Sequence, residues 1–425
     1  MIAGTPVLDL DDAASLEAAD SGGALRSAAS GGALVRATAA AVGEGALARL
    51  DGLRPRSVVF VCGAGRAARA AGLLIAAVGE RAGLPIVLAG ALPHWVGPLD
   101  VVLVAGDDAG DPRLIEAVDR ALRRGAEVVV AAPDEGPLRA AAAGRAIVLP
   151  PRVPVLDHNR LLRYLAVGIA VLRLVDSARS GQVTPEPAAL ADVLDAEALR
   201  AAPQIEVFRN PAKTLAARMQ QHGLVFAGDS PAAAALAEHA AEVLLQSAGR
   251  VASAAGLAEV VAAQPRIVAA AGAAAPGFDP MFHDEEFDGP APVERVRVFV
   301  LSTDPDEAAA RRRIAVFGTG GLVDADLVNA DLDLLRSSLT DPAAPAAPTA
   351  PPPPGAEPGD GARAGGGGEL EQLAVLALRI EMAAAYLRLI NGQPQAVSRS
   401  EYPSGGDYRG GDDFDPTDQY DGGRF

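Results

Sequence analysis

Three acidic side chains crowd a turn where an apolar run hands over to a helix: Val101-Val102-Leu103-Val104 is followed by Ala105-Gly106-Asp107-Asp108-Ala109-Gly110-Asp111-Pro112. A strand-to-helix turn is a natural seat for a phosphate, because free backbone N–H groups and the positive end of the helix dipole converge there. Three carboxylates in that field repel a dianion unless a cation stands between them. Alternatively, Asp111 simply caps a helix that opens at Pro112. Gly228-Asp229-Ser230-Pro231 forms a second such turn and keeps a hydroxyl, which makes Ser230 the better candidate for touching a ligand. Gly63-Ala64-Gly65-Arg66 is a third turn, rich in glycine. Phe282-His283-Asp284-Glu285 places a histidine among carboxylates, with Asp279, Glu286 and Asp288 nearby, a setting that favours the imidazolium. No second histidine stands at ligand-like spacing from it, so no metal is expected.

Composition narrows the classes of function. The chain has 425 residues, enough for two domains and extensions, and half of them are apolar. Aromatic residues contribute only 4%, so Ala, Val and Leu must build the core. A net charge of −17 argues against nucleic acid and anionic membrane surfaces as partners. It leaves room for a phosphorylated small molecule, which needs only one local positive pocket. Cys62 is the single cysteine, lies in an apolar run, and reads as an inert thiol. The first residues carry neither the basic region nor the apolar run of a signal peptide, and the apolar helix at 161–175 contains Arg163 and Arg173. A soluble, cytoplasmic protein is expected.

The elements that must position these residues alternate strand with amphipathic helix, the pattern of a parallel sheet covered on both faces. Strands are predicted at 58–62, 85–89, 100–105, 126–132 and 145–149, with helices to 80, at 113–124, 159–178 and 187–200. A second, similar unit follows: helix 212–221, strand 224–227, the Gly228 turn, a helix to 246, strands at 251–255 and 295–301, and a helix at 306–317. Two units that each open with strand, glycine turn and helix imply an internal duplication of a doubly wound α/β domain. The expected organisation is an N-terminal helical extension at 1–50, a first subdomain at 51–205 and a second at 206–341. Residues 342–368 are almost entirely Pro, Ala and Gly and read as a disordered linker. A helix at 369–394 completes the second subdomain, and 395–425 reads as a disordered acidic tail. That helix is apolar nearly all round, so it must dock onto a domain or a partner subunit.

Asn210-Pro211-Ala212-Lys213 opens a helix with an Asn cap and Pro in the first turn. With Thr214-Leu215-Ala216 and the following Gly228-Asp229-Ser230, it resembles the entry to the second half of the bifunctional phosphoglucose/phosphomannose isomerases. That family is built from two SIS (sugar isomerase) subdomains. Gly63-Ala64-Gly65-Arg66-Ala67-Ala68 stands where the family has a glycine-rich turn, Arg163-Tyr164 is similar to its "RYA" region, and 385–392 resembles its terminal "YLALLNG". The resemblance spans roughly residues 57–395.

The resemblance implies a fold of two doubly wound parallel-sheet SIS subdomains with a C-terminal docking helix. It implies cofactor-free interconversion of glucose or mannose 6-phosphate with fructose 6-phosphate by a homodimer. Gly63, Gly65, Arg66, Gly228 and Ser230 are then expected to bind substrate, and His283 to assist ring opening. The reaction needs one base that carries a proton between adjacent carbons. The strand matching the family's "NEN" segment, 251–256, has no carboxylate; Glu259 a few residues on is the candidate base, or an ordinary helix residue. The chain also lacks the family's hydroxyl-bearing first phosphate turn and its lysine beyond the terminal helix. These departures sustain an alternative, a catalytically degenerate sugar-phosphate sensor or scaffold. A dinucleotide-binding reading of the Gly63 turn lacks an acid ending the next strand.

Overall fold

The valine-rich runs become adjacent strands with both faces covered. In a computed structural model, which describes residues 8–176, 179, 182–220, 222–271, 295–304, 306–319, 323–340 and 368–391, they belong to the first of two all-parallel sheets. Chain order begins with three helices, α1 (Ala13–Ala19), α2 (Ala24–Ala29) and α3 (Gly31–Gly43). Then come β1 (Ser57–Cys62), α4 (Arg66–Val78), β2 (Ile86–Ala89), β3 (Asp100–Ala105), α5 (Pro112–Arg123), β4 (Glu127–Ala131), α6 (Gly136–Ala142) and β5 (Ile147–Val148). Helices α7 (Leu161–Val175) and α8 (Pro187–Arg200) bridge to the second sheet.

The second half runs α9 (Pro211–Met219), β6 (Gly223–Gly228), α10 (Pro231–Ala248), β7 (Ala252–Gly256), α11 (Leu257–Ala271) and β8 (Val296–Leu301). It continues through α12 (Glu307–Ile314), β9 (Val323–Val328) and α13 (Leu332–Thr340), and α14 (Gly368–Ile390) closes the described chain.

The first sheet has the order β2-β1-β3-β4-β5 and the second β7-β6-β8-β9, so the second repeats the first four positions of the first. In each sheet the chain reverses direction of winding between two central strands, β1 and β3 or β6 and β8. Crevices outside the carboxyl ends of such strands are where open α/β sheets bind ligands. The strand β9 was not anticipated, and the helix α11 was read only around Glu259, without its extent. Val323-Asp324-Ala325-Asp326-Leu327-Val328 carries two acids that weaken a strand reading, and α11 contains Pro265.

Helix α14 resolves the docking question. Leu370, Leu373, Leu376, Leu378, Ile380 and Leu387 are fully buried against helices of the same chain, chiefly α10, α9, α2 and α8. Of the two docking surfaces expected, a domain or a partner subunit, the chain's own helices supply this one. Its buried charges are each paired: Glu371 with Arg336 at 2.6 Å, Arg379 with Glu197 at 2.6 Å, and Glu381 with His239 and Asn159. No described helix is long and apolar enough to cross a membrane. The linker at 342–368, apart from Gly368, and the tail at 395–425 lie outside the described residues, as does the whole of the second compact unit, 393–425.

Candidate functional site

The first crevice is built by the ends of β1 and β3. The Gly63 N–H donates to the Ala105 carbonyl at 2.8 Å, tying the two turns together. Gly65 has φ +90°, a conformation that favours glycine, and leads into α4 without a side-chain cap. The acidic turn holds its three carboxylates in three different ways. Asp111 caps α5 by accepting from the Arg113 N–H at 2.9 Å, and Asp108 accepts from the Gly110 N–H at 2.7 Å. Asp107 accepts from the Tyr164 hydroxyl at 2.5 Å and forms an ion pair with Arg160 at 2.8 Å. The cation that such a turn needs is therefore built in, and it serves the protein's own carboxylate. Burial pushes the Tyr164 hydroxyl well above its ordinary range, so it acts only as a neutral donor. Cys62, at the end of β1, has its thiol pushed up to about 12 by burial and stays protonated.

The second crevice keeps hydroxyls. Gly228, Gly256 and Leu301 are register partners at the ends of β6, β7 and β8, so the turns that follow emerge side by side at roughly one strand spacing, about 4.8 Å. Ser230 caps α10, its Oγ accepting from the Ala233 N–H at 3.1 Å. The Ser302 hydroxyl donates to Asp229 and accepts from the Asp304 N–H at 3.2 Å. Burial raises the Asp229 carboxyl, against the opposing pull of Ser302 and of Arg313, which lies 3.7 Å away and also pairs with Asp304. Glu259 is exposed on the first turn of α11, and its carboxylate folds over Gly256.

A third cluster lies between the two halves, and the sequence reading missed it. The buried Arg66 guanidinium donates to His239 Nδ1 at 2.9 Å. Arginine only donates, which assigns the proton of the neutral ring to Nε2. That Nε2–H donates to Glu381 at 3.1 Å. Asn159 donates to the other Glu381 oxygen at 2.9 Å and accepts from Ser27 at 2.8 Å. Arg66 also pairs with Glu242 at 2.9 Å. Its side chain thus points into this interface and is engaged there, not in the β1–β3 crevice. Burial holds His239 well below its ordinary value and pushes Glu381 up to about 8, against Asn159 and Arg66. The available signal was a pair of charges, Arg379 and Glu381, in the middle of a helix that is apolar nearly all round.

The expected substrate residues divide accordingly. Gly63 and Gly65 line the first crevice, Gly228 and Ser230 line the second with Glu259 beside them, and Arg66 is buried between the halves. His283 lies outside the described residues.

No protein-family model matches the sequence, and no curated protein matches it. Solved structures do share its fold. Tagatose-6-phosphate ketose/aldose isomerase from Escherichia coli superposes with a TM-score of 0.52 at 12% identity, covering 91% of this chain and 95% of that one. A hypothetical protein from Thermus thermophilus gives 0.53 at 13% identity, with 89% of each chain covered. At such identities the likeness is one of architecture: this chain has an α/β fold of two parallel sheets with flanking helices, as found in solved phosphosugar isomerases.

Proposed function

We propose that the chain is a sugar-phosphate isomerase-like protein whose working site is the second crevice, with aldose–ketose isomerisation of a hexose 6-phosphate as its reaction. The observation that carries this reading is the shared register of Gly228, Gly256 and Leu301, which brings the Ser230 turn, Glu259 and Ser302 to one sheet end. The N-terminus of α10 and the Ser230 hydroxyl suit a phosphate, while Ser302 holds Asp229 in place. An exposed carboxylate one strand away suits a base that moves a proton between C1 and C2 through an enediolate. His283 keeps its role as the ring-opening acid in this proposal, homodimerisation remains part of it, and no cofactor is required.

A coupled assay of the purified full chain on fructose 6-phosphate tests it. Turnover is expected, and Glu259→Gln should lower kcat by about 10²- to 10⁴-fold while leaving ligand-induced thermal stabilisation in place. Undiminished turnover in that variant would overturn the assignment of the base.

The ion pair of Asp107 with Arg160 favours a second reading, a sugar-phosphate sensor or scaffold, since one of the two phosphate seats is filled by the protein itself. That reading predicts a rise in Tm with sugar phosphates and no turnover.

A further inference from the structure

A cavity of about 390 Å³ lies away from both sheet ends, between the N-terminal helices and the segment that leads into α7. It is lined by Gly22, Gly23, Arg26, Ser27, Ser30 and the stretch 154–156. Two guanidinium groups flank its glycine pair. A Cβ placed on Gly22 would lie 3.7 Å from Arg388 Nη2, and one on Gly23 would lie 3.5 Å from Arg26 Nη2. Neither arginine side chain has an ion pair or hydrogen bond among the described residues. Three acids share a neighbouring groove with Arg26 but none pairs with it: Asp20 accepts from the Ala24 and Leu25 N–H groups at 2.7 and 3.0 Å, Glu17 accepts from Gln204, and Asp195 pairs with Arg36 at 2.7 Å.

Two guanidiniums that pair with no described side chain stand out in a chain of net charge −17. Burial, with Arg66 and Arg388 and against Asp157, holds His158 down to about 4, so this imidazole is neutral and the charge for an anion rests on the two arginines. The Ser27 and Ser30 hydroxyl protons are committed, to Asn159 and to the Arg26 carbonyl, which leaves the guanidiniums as the free donors. Two planar forks with unspent N–H groups match the oxygens of a phosphate, and Pro154, Val155 and Leu156 offer an apolar wall to whatever bears it.

We propose that this cavity is a second small-molecule site, distinct from the sheet ends, which binds a phosphorylated ligand through Arg26 and Arg388. The volume falls in the range of small-ligand pockets.

Isothermal titration of the full chain with inorganic pyrophosphate tests the site. Gly22 is exposed and its backbone φ is not in the left-handed region, so a side chain there is tolerated and lands beside Arg388. Gly22→Asp should offer Arg388 an internal carboxylate and weaken pyrophosphate binding by about 10-fold or more, whereas Gly22→Asn should bind within about 3-fold of the parent. Arg26→Gln with Arg388→Gln should abolish binding. Ser302→Ala, which alters only the second crevice, should leave this binding intact. Failure of the parent chain to bind pyrophosphate at millimolar concentration overturns the proposal. Equal binding by Gly22→Asp and the parent also overturns it. Loss in Ser302→Ala but not in Gly22→Asp would move the anion to the sheet end, overturning this site while leaving the proposed function standing.

Discussion

Gly228→Ala is expected to destabilise the protein by about 3 kcal/mol or more, because among the described glycines its added methyl would meet the closest backbone atoms. Gly228 ends β6, and the chain turns at once into α10. A Cβ at this position would lie 2.0 Å from the Ala234 nitrogen, 2.3 Å from the Ala233 carbonyl carbon and 2.4 Å from the Ala234 Cα. These are backbone atoms of a helix, so no side-chain rotation relieves the overlap, and strand and helix must part. Both are central: Phe226, Ala227, Ala233 and Leu236 are fully buried on either side of the contact. The same turn presents Ser230, so binding at the second crevice should fall with stability. Urea titration measures the change. A midpoint equal to that of the parent would mean that strand and helix are not clamped here. Gly72→Ala provides the contrast, because a Cβ there meets nothing within 4 Å and the residue lies inside α4. It should stabilise by about 0.5–1 kcal/mol.

Stability should also peak near pH 6.5 and fall toward pH 8, through the buried Arg66–His239–Glu381 network. The folded Glu381 carboxyl titrates at about 8 against an ordinary 4.5. Between those values the unfolded chain has lost the proton that the folded chain keeps, so stability declines as pH rises, by about 1.4 kcal/mol per pH unit. His239 and His158 act in the opposite sense. Both are depressed in the folded state from 6.5, so below 6.5 the unfolded chain takes up protons that the folded chain refuses. Two histidines outweigh one glutamate there, and stability rises with pH as far as 6.5. Above it the two histidines no longer contribute and Glu381 gives a loss of about 2 kcal/mol by pH 8.

Glu381→Gln should remove this alkaline limb. Asn159 and His239 both donate to the carboxyl group, so the new amide nitrogen must face one of two donors. A cost of about 1–3 kcal/mol across the whole pH range follows. Denaturant midpoints at half-unit pH steps measure both effects. A parent protein equally stable at pH 6.5 and 8 would exclude a buried carboxyl with a raised pKa.

Much of the architecture was legible because it is written in local periodicity. Val101–Val104 reads as a strand buried on both faces, Asn210-Pro211 as a capped helix start, and 369–391 as a helix too apolar to remain exposed. The two glycine turns also declared the duplication, which the repeated strand order bears out. The Asp111 cap was recognisable from Asp-Pro alone. By contrast, 323–328 concealed its strand because a half-exposed edge tolerates the acids Asp324 and Asp326, which pair with Arg297 and Arg218.

The sequence by itself determined where strands and helices form, that two similar halves exist, and that the acidic turn cannot take a phosphate without a cation. Those properties depend on neighbours a few residues apart. Only the tertiary structure decided which cation that is, where the terminal helix docks, and that Arg66 joins His239 and Glu381. Arg160 reaches Asp107 across 53 positions, and the Asn159 to Glu381 hydrogen bond spans 222. Such pairings are set by how buried helices pack. A buried polar group must find its partner wherever the core brings one, and no local pattern records that choice.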